Sequence, residues 1–202
     1  MQDAENWLKN IRKSLEYINK TLPQNLEAVA VPAANLHPKY LQTRNAQEFG
    51  CEPDFNVWTR SINNRPSATD STLRSAGFHI HIGYKNKSEE IDEYLVKALD
   101  LFLSVPATIV EPDNQRKQLY GKAGAFRFKD YGVEYRSLSN YFINSDSLMK
   151  WVFDNTQTAI DFLNQRGIDE IEIMGKEIQE AVNNNNKVLA NQIIRQFNIP
   201  LP

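Results

Sequence analysis

The stretch AGFHIHIGY, residues 76–84, decides the fold because its apolar residues alternate strictly with polar or small ones. A period of two predicts a β-strand whose successive side chains point to opposite faces. The open face would carry His79, His81 and the bare Gly83. The other face would pack into a core, and it would carry Phe78, Ile80, Ile82 and Tyr84.

The remainder of the chain combines helical and extended patterns. Apolar residues at helical spacing predict helices over 3–20, 88–103, 145–166, about 169–182 and 187–197. Alternation predicts strands over 26–33, 124–129 and 132–139, the last two as a hairpin. Residues 34–74 are mostly irregular, and a loop of that length is usually functional or mobile.

This order of elements predicts an α+β fold, with an antiparallel sheet and helices packed on one side. The 202 residues favour a single domain. Within it, residues 21–144 would form the sheet and the site region, and residues 145–202 a helical region.

Charge and cysteine content exclude several classes of protein. The net charge is −2, with 23 basic and 25 acidic residues, so no global field points to nucleic acid or an anionic membrane. No apolar run approaches the ~20 residues of a membrane span. The single cysteine, Cys51, excludes an internal disulfide and fits a reducing compartment. We therefore expect a cytoplasmic protein without nucleic-acid or membrane partners.

Two of the three histidines lie on the open face of the predicted strand. His79 and His81 would be about 7 Å apart if the strand rises ~3.4 Å per residue. Such a pair suits a metal site or a phosphate-binding face. The alternative is two polar residues on the wet side of an edge strand.

A second candidate cluster is Arg127 with Glu134 and Arg136. Pairing the predicted hairpin would bring the two guanidiniums and the carboxylate together. Residues 116–136 hold six basic groups against two acidic ones. Guanidiniums bind phosphate or carboxylate oxygens in a bidentate manner. The alternative is a cross-strand salt-bridge ladder.

A third candidate is Glu52 with Asp54, which flank Pro53. In an extended segment their carboxylates share one face, as oxygen ligands of Mg²⁺ would. The alternative is an exposed acidic turn. Cys51 in the same segment is interpreted as a small buried hydrophobe rather than a nucleophile.

Three stretches together resemble a known family. They are FGCEPDFNVW (49–58), RSAGFHIHIGY (74–84) and LYGKAGAFRFKDYGVEYRSLSN (119–140). The set resembles the phage-associated carboxylate–amine ligases (COOH.NH2 ligase, type 2), distant relatives of glutamine synthetase and of the glutamate–cysteine ligases. The resemblance covers about residues 45–145.

The resemblance implies an ATP-dependent ligase with a glutamine-synthetase-like catalytic sheet. A substrate carboxylate would attack the γ-phosphate of ATP to give an acyl phosphate, and an amine would then displace phosphate. Mg²⁺ or Mn²⁺ would bridge the nucleotide to carboxylates and one histidine. The substrates would be a small-molecule or peptide carboxylate and an amine, in the host cytoplasm if the protein is phage-encoded.

The resemblance also implies roles for individual residues. His79 and Glu134 resemble metal ligands, and Glu52 and Asp54 match the acidic motif. Arg127 and Arg136 resemble catalytic arginines that contact phosphate or substrate. The expected nucleotide-binding residues are His81, Arg116 and Lys122.

One departure from the family pattern leaves other functions open. The early acidic strand expected in the superfamily is not found before Phe49. We therefore expect a separate N-terminal polypeptide, or self-association, to complete the sheet. One rival is a catalytically inactive ligase-like binding protein. Another is a metal-dependent hydrolase that uses His79, His81 and Asp54.

Overall fold

The structure is a computed structural model that describes residues 3–48, 52–64, 66, 72–112 and 115–202. The α-helices are α1 (Ala4–Thr21), α2 (Arg44–Gln47), α3 (Glu89–Leu99), α4 (Val105–Val110), α5 (Asp146–Arg166), α6 (Asp169–Ile173), α7 (Gly175–Asn183) and α8 (Lys187–Phe197). The strands are β1 (Ala33–Asn35), β2 (Phe55–Asn56), β3 (Ser61–Ile62), β4 (Leu73–Ser75), β5 (Ile80–Gly83), β6 (Ala125–Lys129) and β7 (Gly132–Tyr135).

The main sheet has five antiparallel strands in the order β3-β2-β6-β7-β5, and β1 pairs separately with β4. Strands β6 and β7 form a hairpin in which Arg127 lies opposite Glu134. Strand β5 lies on the other side of β7, with His81 opposite Glu134. Of the strand predicted over 76–84, residues 80–83 therefore pair with the hairpin.

The two faces of this sheet differ as the alternation predicts. Phe126, Val133 and Tyr135 are buried on one face, against which α3 packs. Burial of each such large side chain contributes about 1.5–3 kcal/mol. Arg127 and Glu134 lie on the opposite face, because neighbouring residues of a strand alternate. The sheet therefore has a core face and a polar face.

Helix ends follow their sequence signals. The side chain of Ser88 accepts a hydrogen bond from the backbone N–H of Ile91 at the start of α3. Ser145 caps α5 in the same way through the N–H of Leu148. Helix α5 ends at Gly167, whose φ of 75° suits a residue without a Cβ.

Several predicted elements differ from the structure in their extent, and the strands predicted over 76–84 and 132–139 are shortened to β5 and β7. The strand expected over 26–33 begins only at Ala33, and Leu26 and Val29 remain exposed. A strand-like sequence pattern is not enough to form a strand in that segment, since a strand also needs a neighbouring strand to pair with. The helix expected over 169–182 is divided into α6 and α7 at Met174.

The helix expected over 88–103 continues further than predicted. After α3 the backbone forms a π-helical segment, Asp100–Ser104, and then α4. Pro106 does not end the helix because it lies in the first turn of α4, where its missing N–H is tolerated. The chain is thus α+β with an antiparallel sheet. None of the helices in the described ranges combines the length and apolar character needed to cross a membrane.

Gly132 should be required at the start of β7. Its φ is 149°, and a Cβ there would lie 2.1 Å from the carbonyl oxygen of Ile82 on the neighbouring strand. Gly132→Ala should lower the free energy of unfolding by the ~1–2 kcal/mol of an unfavourable backbone conformation, plus roughly 1–3 kcal/mol of overpacking. Urea denaturation measures this loss.

Gly167→Ala is the matched control for that variant. Gly167 also has a positive φ, but a Cβ there meets nothing within 4 Å. The free energy of unfolding of Gly167→Ala should therefore fall only by the amount that the unfavourable backbone conformation accounts for. Equal losses for the two variants would show that the contact between β7 and β5 is looser than described.

Candidate functional site

The polar face of the sheet brings together residues from three strands and two loops. Cross-strand pairing places Glu134 between Arg127 on β6 and His81 on β5. Arg136 and His79 lie just beyond the paired residues of β7 and β5. Their positions at one end of the sheet make this face the candidate site.

Arg136 lies at the centre of the site, and its side chain is only 4% exposed. Its Nε donates to Oδ2 of Asp54 at 3.3 Å, and its Nη1 contacts Oε1 of Glu134. The same Nη1 lies 3.2 Å from Nδ1 of His79. His79, Glu134 and Arg136 therefore meet in one cluster.

Glu134 is held as a buried carboxylate by two cations. Burial raises the pKa of Glu134, but the hydrogen bond from Lys129 and the charge of Arg136 outweigh burial and lower the pKa to about 2. The Nζ of Lys129 lies 2.6 Å from Oε2, while Oε1 faces Arg136. Both oxygens of this carboxylate are thus engaged by cations.

His79 is neutral at physiological pH. Desolvation and the positive charge of Arg136 lower the pKa of His79 to about 4. Nδ1 of His79 lies 3.2 Å from Nη1 of Arg136 and 3.1 Å from Oε1 of Glu134. Because the imidazole is neutral, its contact with Glu134 is not an ion pair.

Asp54 and Glu52 lie at the entrance to the site. Asp54 is 8% exposed, and its Oδ1 accepts from Nδ2 of Asn63 at 2.9 Å. Glu52 is exposed, and its backbone carbonyl accepts from Nη2 of Arg127. Both acidic residues line a cavity of about 290 Å³, with Lys122 on the same wall. Asp54 is thus paired with Arg136, whereas Glu52 is exposed at the cavity.

Arg116 forms the floor of a smaller pocket. It is 4% exposed, and its Nη1 donates to the carbonyl oxygen of Ser137 at 2.8 Å. Its Nη2 donates to the carbonyl oxygen of Arg136 at 3.2 Å. Desolvation lowers the pKa of Arg116 to about 10, so the guanidinium keeps its charge at neutral pH. Its buried Nε has no hydrogen-bond partner within the described part of the chain.

The pocket over Arg116 has a volume of about 140 Å³ and is lined by Asp54, Ser75, Gly77, His79, Arg116, Tyr120 and Arg136. Gly77 keeps it open. A Cβ at that position would lie 3.0 Å from Nη2 of Arg116 and 3.0 Å from Nε2 of His79. The two guanidiniums and the ring N–H of His79 can donate to an anion of phosphate or carboxylate size.

Two of the expected site residues lie away from this pocket. His81 is exposed, and its Nδ1 lies 2.5 Å from the hydroxyl of Tyr131. It lines a separate groove of about 370 Å³ between β5 and α5. Lys122 is exposed on the wall of the larger cavity. Cys51 lies outside the described residues, so its interpretation stays a prediction.

The donor set suits an anion better than a cation. Within the described ranges, no group of three or more His, Cys, Asp and Glu side chains is arranged to hold a metal ion. His79 and Glu134 are adjacent, but Glu134 and Asp54 are neutralised by Arg136 and Lys129. The metal-binding roles of His79, Glu134, Glu52 and Asp54 stay predictions.

Sequence analysis missed three contributors to the site. Lys129 shares the polar face of β6 with Arg127, and their spacing of two was the available signal. Ser75 and Tyr120 line the pocket from loops and strand ends. No local pattern distinguishes these two residues, because only the folding of distant segments brings them together.

Comparison with known proteins identifies the family of the chain. The family model described as phage phiEco32-like COOH.NH2 ligase-type 2 matches residues 60–199, more than half of the chain. The matched range includes His79, Arg116, Glu134 and Arg136, whereas Asp54 precedes it. No curated protein and no solved structure shows significant similarity to the chain. The chain belongs to the phage phiEco32-like COOH.NH2 ligase-type 2 family.

Proposed function

We propose that the protein is all or part of an ATP-dependent carboxylate–amine ligase. Family membership implies amide formation between a carboxylate and an amine. The observation that carries the ATP-dependent step is the pocket in which two buried guanidiniums, Arg116 and Arg136, flank a neutral His79. Such a pocket suits the oxygens of a phosphoryl group.

The proposed reaction has two steps. A carboxylate oxygen of the first substrate attacks the γ-phosphorus of ATP, the bond to the bridging oxygen breaks, and ADP leaves. The product of this step is an acyl phosphate. The amine of the second substrate then attacks the acyl carbon, phosphate leaves with the bonding electron pair, and the amine loses a proton.

Each site residue would act by positioning and neutralising charge. Arg116 and Arg136 would hold phosphoryl oxygens, and Arg127 would approach from the neighbouring strand. The ring N–H of His79 would donate a hydrogen bond without adding charge. Lys122 would meet the outer part of the nucleotide in the larger cavity. Phosphoryl transfer needs this preorganised charge rather than a nucleophile from the protein.

We derive no catalytic step through a metal ion. His79 and Glu134 supply two adjacent donors, but a metal that bridges phosphates needs more unpaired carboxylate oxygens. Across the described ranges, Glu134 and Asp54 are instead paired with cations. The residues present thus fit the nucleotide's anionic groups and do not fit a metal cluster.

We also propose that the sheet is related to that of glutamine synthetase. The antiparallel order β6-β7-β5, with charged residues on one face, supports this relation. The rival hydrolase would need His81 and Asp54 beside His79. His81 instead contacts Tyr131, and Asp54 is paired with Arg136, so no observation favours that function.

The proposed activity should appear as ADP formation that depends on both a carboxylate and an amine. Calorimetry with ATP and Mg²⁺ measures binding, and a coupled assay with panels of acids and amines measures ADP release. Binding with ADP release would establish the ligase. ATP binding without turnover would favour the ligase-like binding protein, and no ATP binding would overturn the proposal.

Gly77→Ala should weaken ATP binding without unfolding the protein. The added methyl group would crowd Arg116 and His79 and fill part of the pocket. We expect ATP affinity to fall about tenfold, equivalent to ~1.4 kcal/mol, as measured by calorimetry.

Gly83→Ala, at the end of β5, is the control, since its Cβ would meet ordinary contacts from 3.4 Å outward, away from the pocket. Its ATP affinity should match that of the wild type. If Gly77→Ala also binds normally, the phosphoryl group does not occupy this pocket.

The neutral state of His79 should make stability depend on pH. The pKa of His79 falls from 6.5 to about 4 on folding, so the unfolded chain binds the proton more tightly in this window. The His79 contribution is therefore complete above pH 6.5 and is lost as the pH falls toward 4. The groups facing it are Glu134, Arg136, Arg116 and His81.

Urea denaturation at several pH values, on the wild type and on His79→Gln, tests this dependence. Removing the imidazole should make the free energy of unfolding less dependent on pH between 6.5 and 4. An unchanged slope in the variant would mean that His79 titrates normally in the folded protein.

A further inference from the structure

A buried hydrogen-bond network lies beneath the candidate site, on the core face of the sheet. Asp100 is fully buried, and its Oδ2 accepts from Nε1 of Trp58 at 2.6 Å. Its Oδ1 accepts from the hydroxyl of Tyr135 at 2.8 Å. The Tyr135 hydroxyl lies 2.6 Å from Oγ of Ser104. One carboxylate thus joins the loop after β2 to strand β7.

Trp58 and Tyr135, the two partners of Asp100, are close in sequence to site residues. Tyr135 lies between Glu134 and Arg136, so its ring points into the core while their side chains point to the polar face. Trp58 is four residues after Asp54. The ion pair between Asp54 and Arg136 therefore spans the same two segments that Asp100 joins from below.

Both the backbone and the ring of Trp58 are held by neighbouring residues. Its backbone N–H donates to Oδ1 of Asn56 at 2.9 Å, and Nδ2 of Asn56 donates to the carbonyl oxygen of Ala123 at 3.3 Å. A Cβ at Gly175 would lie 2.7 Å from the indole, so α7 packs directly against the ring. A displacement of Trp58 would therefore move the segment that carries Asp54.

Stability alone does not explain a carboxylate in this place. Burial raises the pKa of Asp100 to about 6, although the hydrogen bonds from Trp58 and Tyr135 oppose this rise. Apolar residues of similar volume often stabilise a core as well as a buried charge does, or better. Asp100 also begins the π-helical segment Asp100–Ser104, a backbone form that is rare and frequently found at functional sites.

We propose that Asp100 is a positioning residue for the ligase site, because its hydrogen bonds to Trp58 and Tyr135 set the distance between Asp54 and Arg136. The expected effect of Asp100 on ATP binding rests on the proposed function. Its expected effect on the ion pair between Asp54 and Arg136 does not. Asp100 touches no substrate in this arrangement and acts through Trp58 and Tyr135, with a further hydrogen bond from the backbone of Gly124.

Asp100→Asn is the direct test, because the amide keeps the shape but replaces one acceptor oxygen by a donor. ATP affinity measured by calorimetry should fall at least about tenfold. Ser104→Ala is the matched control, since the hydroxyl of Ser104 belongs to the same buried network but contacts Tyr135 and not Asp100. Its affinity should stay within about twofold of the wild type.

A spectroscopic measurement separates positioning from a general loss of stability. In ¹⁵N NMR spectra, the Nε–H signal of Arg136 reports its hydrogen bond to Asp54, and the Trp58 indole N–H reports its bond to Asp100. Asp100→Asn should shift both signals, whereas Ser104→Ala should leave the Arg136 signal in place. Leu101→Ala is the control for lost stability, because it creates a cavity in the same buried segment without removing a hydrogen bond of Asp100. It should leave both signals unshifted.

The outcomes distinguish the two proposals. If the wild type binds no ATP, the proposed function fails, and the Arg136 signal alone then decides the positioning role. An unshifted Arg136 signal in Asp100→Asn overturns that role. So does an affinity loss no greater than that of Leu101→Ala. If Asp100→Asn does not fold, Tyr135→Phe removes the same link to β7 and must produce the Arg136 shift.

Discussion

The buried guanidinium of Arg136 constrains the rest of the site. With 4% of its side chain exposed, it must be surrounded by acceptors, and it finds them in Asp54, Glu134 and His79. Removing one partner of a buried ion pair typically costs 3–5 kcal/mol. Three separate segments of the chain therefore have to meet at one residue, and this meeting organises the polar face of the sheet.

This arrangement also determines the charge that the site offers to a ligand. The carboxylates of Glu134 and Asp54 are already used to neutralise Arg136 and Lys129. Arg116 adds a further positive charge in the same pocket, and its other contacts there are backbone carbonyls. The balance is positive, which favours a phosphoryl or carboxylate group and agrees with membership of a ligase family.

The two faces of β7 serve different purposes. Glu134 and Arg136 lie on the polar side, where Arg136 lines the ligand pocket, while Tyr135 between them joins the buried network around Asp100. A rigid core behind a functional surface keeps charged side chains in place, because interiors are packed as densely as crystals. The strands are short and form few backbone hydrogen bonds. The side-chain network therefore contributes much to holding the charged side chains in place.

The sequence alone determined the local structure and the family. Alternation over residues 76–84 predicted β5 and its polar face, and the spacing of two predicted that Glu134 on β7 and Arg136 just after it point to the same side. Helix caps such as Ser88 and Ser145 were readable because they act within four residues. These features depend on neighbours along the chain. The extent of the strands was less predictable, as residues 26–32 show, because a strand needs a partner.

Only the tertiary structure decided which charges neutralise one another. Asp54 and Arg136 are 82 positions apart, and only the folded chain makes the Asp54 carboxylate the counter-ion of Arg136. Asp100 resembled one acidic residue of an amphipathic helix, and its role depends on Trp58 and Tyr135, which are 42 and 35 positions away. Composition and periodicity carry no information about such distances, since chain folding alone brings these groups into contact.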